Sequence, residues 1–125
     1  EKALAENPRD AARWTRAATA YLRAHRYEKA RSVADAGLLL FPGYAPLARS
    51  AGVASLRMGT PKRAATQFQE ALDLLADSAQ SSQTAEVHAG LGLAYTQLDR
   101  PEAATEVFET ARSLVLESGA ETREG

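Results

Sequence analysis

Cysteine is absent from the 125 residues, and with it go disulfides, thiolate metal ligands and cysteine nucleophiles. Histidine is scarce: His25 and His88 are the only two, and no His or Cys cluster has metal-ligand spacing. Long apolar runs are missing. The stretch Leu38-Leu39-Leu40-Phe41 falls far short of the roughly 20 residues that span a bilayer, and the start of the chain has no basic segment followed by an apolar core. Excess charge of either sign is missing too. With a formal net charge of -1 and a pI near 6.2, the chain lacks the long-range attraction behind non-specific nucleic-acid binding. These absences exclude several chemistries but leave cytoplasm and periplasm both open. The chain opens on Glu1 rather than Met, so it is expected to be an excerpt.

What is present is ordinary in bulk and patterned in detail. Apolar residues make up 45% and charged residues 25%, values that fit one soluble domain or one repeat array rather than disorder or a membrane protein. Laid under itself, the sequence repeats. Tyr21, Ala30 and Pro42 in a first unit and Ala64, Phe68 and Ala71 in a second share one template at a shift of 34 residues. Gly52, Ala64, Phe68 and Ala71 return as Gly92, Ala104, Phe108 and Ala111 at a shift of 40. The units therefore occupy 11–44, 45–78 and 85–118, with a spacer at 79–84; residues 1–10 end a preceding unit, and 119–125 form a disordered tail or open a further one.

Apolar residues recur every three or four positions in segments of about a dozen, which predicts six helices near 10–24, 27–41, 45–58, 61–77, 83–98 and 101–117. Thr60-Pro61 and Asp99-Arg100-Pro101 combine a capping side chain with a proline suited to a first helical turn; Asp10 after Pro8 does the same for the first helix. Gly43 and Gly59 mark turns. The polar spacer Ser78-Ala79-Gln80-Ser81-Ser82-Gln83 is expected to extend one or both flanking helices.

The template resembles the tetratricopeptide repeat, W-x2-L-G-x2-Y followed by a small Ala, a large aromatic, another Ala and a closing Pro. The first unit reads Trp14, Ala17, Ala18, Tyr21, Ala30, Ala34, Gly37, Pro42; the second Ala48, Ala51, Gly52, Ser55, Ala64, Phe68, Ala71; the third His88, Leu91, Gly92, Tyr95, Ala104, Phe108, Ala111. Ala76 and Leu116 replace the usual proline. Ala3, Leu4 and Pro8 fit the end of an earlier unit. The resemblance implies an all-α fold, a right-handed superhelical solenoid of stacked antiparallel helix pairs, from a longer bacterial array. Small residues let paired helices approach, while Tyr21, Phe68, Tyr95 and Phe108 fill the spaces between pairs.

No constellation points to an enzyme or a cofactor. His25 falls in a turn, and His88 takes a place usually large and apolar, which suggests a partly buried structural residue. Gly90-Leu91-Gly92 lies inside a helical pattern and follows no strand, so it is no dinucleotide loop. Ser78, Ser81 and Ser82 have no evident base, and Asp73 and Asp77 are helix-surface charges. Trp14 and the run Leu38 to Phe41 are assigned to the core.

The resemblance further implies a protein or peptide partner lying along the concave face made by the first helix of each unit. Helical periodicity turns Thr15, Arg16, Thr19, Leu22 and Arg23 of unit one, Arg49, Ser50, Val53, Leu56 and Arg57 of unit two, and Glu86, Ala89, Gly90, Leu93, Thr96 and Gln97 of unit three toward it. Arg16 with Arg23 and Arg49 with Arg57 share faces, so four arginines are expected in one half of the groove, suited to an acidic ligand. The best-known groove, the clamp of Lys, Asn and Arg that grips chaperone carboxyl termini, cannot be built from Thr15, Thr19, Ser50, Glu86 and Gly90. Two other readings stay open: a structural segment that self-associates through its end faces, and a helical-repeat RNA binder, which the near-neutral charge disfavours.

Overall fold

The computed structural model describes residues 8–76 and 81–124. Ala3 and Leu4, Asp77, and the part of the expected spacer at 78–80, lie outside the described residues. Among the described residues the chain is helical throughout: α1 (Pro8–Arg23), α2 (Tyr27–Leu40), α3 (Ala45–Arg57), α4 (Pro61–Leu75), α5 (Ser81–Gln97) and α6 (Pro101–Glu124). Each helix packs on the next, and α1 also meets α3 and α3 meets α5, so the first helices line one side of a stack of three pairs. α5 takes in Ser81, Ser82 and Gln83 of the spacer. α6 runs on to Glu124, beyond the last repeat-patterned position, through residues that include good helix formers and no proline.

One turn is built three times. His25, Gly59 and Asp99 have φ values of 61°, 79° and 59° and stand at the same template position. After each, the next amide (Arg26, Thr60, Arg100) donates 2.9 Å to the carbonyl five residues back (Tyr21, Ser55, Tyr95), the wrapped ending that satisfies orphan carbonyls of the helix. Only Gly59 was recognisable as such a turn from its residue type. Thr60 does not cap α4 as expected: its hydroxyl donates to the Ser55 carbonyl at 2.9 Å, finishing α3 instead. Asp99 supplies the left-handed residue. Asp10 sits inside the first turn of α1, 3.5 Å from Arg13.

The core follows large-into-small packing. Phe68 is fully buried, and a Cβ added to Gly52 would come within 2.9 Å of its ring, one added to Gly90 within 2.5 Å. The ring is thus held between its own unit and the next. Gly92 offers the same close approach to Phe108, at 2.5 Å. Around Phe68 gather Ala48, Ala64, Ala71, Val87, Leu91 and Ala94; Trp14 packs partly buried against Ala11, Phe41 and Leu47. The run 38–41 divides between core and surface. Phe41, just past the end of α2, is buried and Leu38 half-buried, while Leu39 and Leu40 are 86% and 46% exposed, because successive helical residues cannot all face one side. Phe108, expected to fill an inter-pair space, is 37% exposed, since α6 ends the stack. His88 is half-buried, with Nδ1 buried and without a hydrogen-bond partner, and desolvation lowers its pKa.

Candidate functional site

The first helices carry two kinds of outward position, and burial tells them apart. Leu47, Ser50, Ala51 and Ala54 on α3, and Val87, Gly90, Leu91 and Ala94 on α5, are all buried. Gly90 lies against Phe68 of the preceding pair, so this is the stacking face. Ser50 and Gly90 therefore leave the expected groove set. Arg16 stands at the same register as these two and belongs to the stacking face of the end unit, where it is exposed. Leu56 is only 7% exposed and joins the core around Phe68.

The remaining positions fare differently. Thr19, Leu22 and Arg23 of α1 and Val53 and Arg57 of α3 line one cavity of about 230 Å³ together with His25 and Tyr27. Leu22 and Val53 are half-buried at its wall, and Arg23 and Arg57 are exposed. The lining contains no carboxylate, and among the described residues neither arginine has an ion-pair partner. Arg49 is set apart: its guanidinium lies 3.8 Å from the Glu86 carboxylate on α5. Leu93, 48% exposed on α5, lies outside the cavity. Of four arginines expected to act together, the fold brings two into one recess.

His25 and Tyr27 are the residues that sequence reasoning left out. Nδ1 of His25 lies 2.6 Å from the Tyr27 hydroxyl, and the rings meet edge to face at 5.8 Å. A signal existed: Tyr27 opens α2 at the place where Pro61 and Pro101 open α4 and α6. The recess can offer two guanidinium groups, a phenol and an imidazole above an aliphatic wall, a set suited to an acidic or polar side chain flanked by an apolar one.

Two larger recesses lie near the turns. One, of about 560 Å³, is bounded by Lys62, Thr66, Gln69 and Asp73 on α4 and by Tyr95, Leu98 and Arg100 of the third unit. The other, of about 570 Å³, lies between residues 25–29 and Met58. Among the described residues no group of three or more His, Cys, Asp or Glu could hold a metal ion, and no helix is long and apolar enough to cross a membrane.

No protein-family model matches the chain, and no curated protein matches it. Solved structures do. The second tetratricopeptide domain of Spaghetti (RPAP3), solved bound to the HSP90 peptide SRMEEVD, superposes with a TM-score of 0.77 at 21% identity, over 88% of this chain and 96% of that one. Three stacked helix pairs at a common template, with the wrapped turn repeated in each and a three-dimensional match of that extent, give the chain the tetratricopeptide-repeat fold.

Proposed function

We propose that this chain is a protein-interaction scaffold that seats a segment of a partner protein on its concave side, with the recess between α1 and α3 as the anchoring point. The observation that carries this reading is the convergence of Arg23 and Arg57 over Leu22 and Val53 in a recess without a carboxylate. An Asp or Glu side chain of the partner is taken up by the two guanidinium groups, and a neighbouring aliphatic residue rests on Leu22 and Val53. Exposed ion pairs are worth only about 0–1 kcal/mol each, so the affinity is modest and salt-sensitive unless apolar contacts add to it. That the structural neighbour holds an acidic peptide is compatible with this class of ligand. The chaperone peptide itself is not the ligand proposed here. Ser50 and Gly90 are buried, Glu86 is engaged by Arg49, and the Thr15 hydroxyl donates to the Ala11 carbonyl at 3.0 Å.

The test is a panel of fluorescently labelled peptides, acidic sequences beside versions with Asp and Glu changed to Asn and Gln, titrated by anisotropy against the native chain and an Arg23→Glu, Arg57→Glu variant of confirmed helicity. Selective binding of acidic peptides that weakens with salt and is lost in the variant is the expected result. Equal binding by both proteins would remove the recess from the interaction.

A further inference from the structure

The recess between α1 and α3 carries a contact that the other two units lack. The left-handed turn residue and the residue two places on are His25 and Tyr27 in unit one, Gly59 and Pro61 in unit two, and Asp99 and Pro101 in unit three. Unit one alone therefore sets an imidazole beside a phenol, with Nδ1 of His25 2.6 Å from the Tyr27 hydroxyl. His25 is exposed and Tyr27 half-buried, and both line the recess that holds Arg23 and Arg57. Units on either side do not alter this. By the register of Leu47, Ser50, Ala51 and Ala54, a unit stacked ahead of α1 meets Arg13, Arg16, Ala17 and Ala20, and none of these lines the recess.

We infer that His25 and Tyr27 make the uptake of an acidic ligand proton-linked: when His25 gains its second ring proton, the Tyr27 hydroxyl turns from the imidazole to the ligand's carboxylate. This rests on the recess being the anchoring point for an acidic side chain. Nδ1 of a neutral imidazole can accept a hydrogen bond from the phenol, whereas an imidazolium has N–H at both nitrogens and can only donate. One proton taken from solvent therefore fixes the direction of the 2.6 Å contact: Nδ1–H donates to the phenolic oxygen, and the phenolic hydrogen is released. The freed O–H joins the Arg23 and Arg57 guanidinium groups as a further donor to the same carboxylate. The charged groups around His25 are Arg23 from α1, Arg57 from α3, and Arg26, Glu28 and Lys29 from the turn and the start of α2. Four of these five are cations, so the incoming carboxylate is the change that favours an imidazolium among them. By reciprocity, the proton then favours the carboxylate by the same factor.

The test is the affinity of labelled, histidine-free peptides of Asp, Glu and Leu, measured by anisotropy at about pH 7.5 and about pH 5.5, a span in which histidine changes charge while Asp and Glu stay largely ionised. The native chain should bind about three- to tenfold more tightly at the lower pH. His25→Asn, which puts a residue tolerant of the left-handed turn in place of the imidazole, should lose that gain. Tyr27→Phe should weaken binding more at the lower pH than at the higher. Calorimetry near about pH 6.5, in buffers of different ionisation enthalpy, should show net proton uptake on binding by the native chain and none by His25→Asn. Helical circular dichroism at both pH values confirms that each protein is folded. Equal native affinity at the two pH values, with the dependence on Arg23 and Arg57 intact, would overturn the inference and leave the anchoring recess standing. So would a gain that survives in His25→Asn, or a loss in Tyr27→Phe that is equal at both pH values. Absence of salt-sensitive binding at either pH would overturn the recess and the inference together.

Discussion

Replacing Gly90 with alanine tests whether the Phe68 ring is wedged between two units. In an open helical position Gly→Ala stabilises by about 1 kcal/mol through helix propensity. Here the new Cβ would lie 2.5 Å from Phe68 Cζ and 2.6 Å from Cε1, closer than the 3.0 Å below which something must shift. The ring has little room to retreat, because it is fully buried and also lies in close contact with Gly52. Overpacking of this kind costs about 1–3 kcal/mol, so the single variant should end near neutral to about 2 kcal/mol less stable. Phe68→Leu removes the ring atoms that clash and opens space beside Gly90. In that background Gly90→Ala should stabilise, giving a favourable coupling of about 1–3 kcal/mol between the two changes. Urea unfolding of the four proteins, followed by helical circular dichroism, measures it. If Gly90→Ala alone stabilises by the full propensity gain and the cycle shows no coupling, the wedge does not exist.

Three further outcomes follow from named positions. Ala64, fully buried, has no room for a larger side chain, and Ala64→Leu should lower stability by about 1–3 kcal/mol in the same urea assay. Asp99→Gly places glycine where Gly59 already serves in the second unit. It should raise stability by up to about 1 kcal/mol by relieving a left-handed residue, and a lower urea midpoint would refute that origin. His88 favours its neutral form in the folded state, with a pKa below the ordinary value of about 6.5. As pH falls below about 6.5 the unfolded chain takes up the proton first, so stability present above that pH is lost on acidification. A His88→Leu variant should show a shallower decline between about pH 7 and pH 5, and identical slopes for the two proteins would exclude the histidine.

Much of the architecture was written in the residues themselves. Three units agreeing at Gly52 and Gly92, Ala64 and Ala104, Phe68 and Phe108 specify a stacked array, because a helix pair of this pattern cannot bury its apolar face without a neighbour. The helix spans, the core role of Trp14 and the half-buried state of His88 are local consequences of period and residue type. The turns were legible only in part: His25 and Asp99 do not announce a left-handed backbone, and the shared position became visible when three turns could be overlaid.

Which residues make up the candidate surface was decided by tertiary packing. Period 3.6 says which residues share a side of a helix, but not whether that side meets solvent or the previous pair. So Arg16, Ser50 and Gly90 read as groove residues although their register belongs to the stacking face, and Leu56 as a groove residue although it lies in the core. Nor could the sequence show that Arg49 meets Glu86 across units, or that Arg23 and Arg57, 34 residues apart, converge with Tyr27 on one recess. Composition and spacing determine that this chain stacks. Which side chains remain free once it has stacked depends on distances between units, and only the folded array sets those.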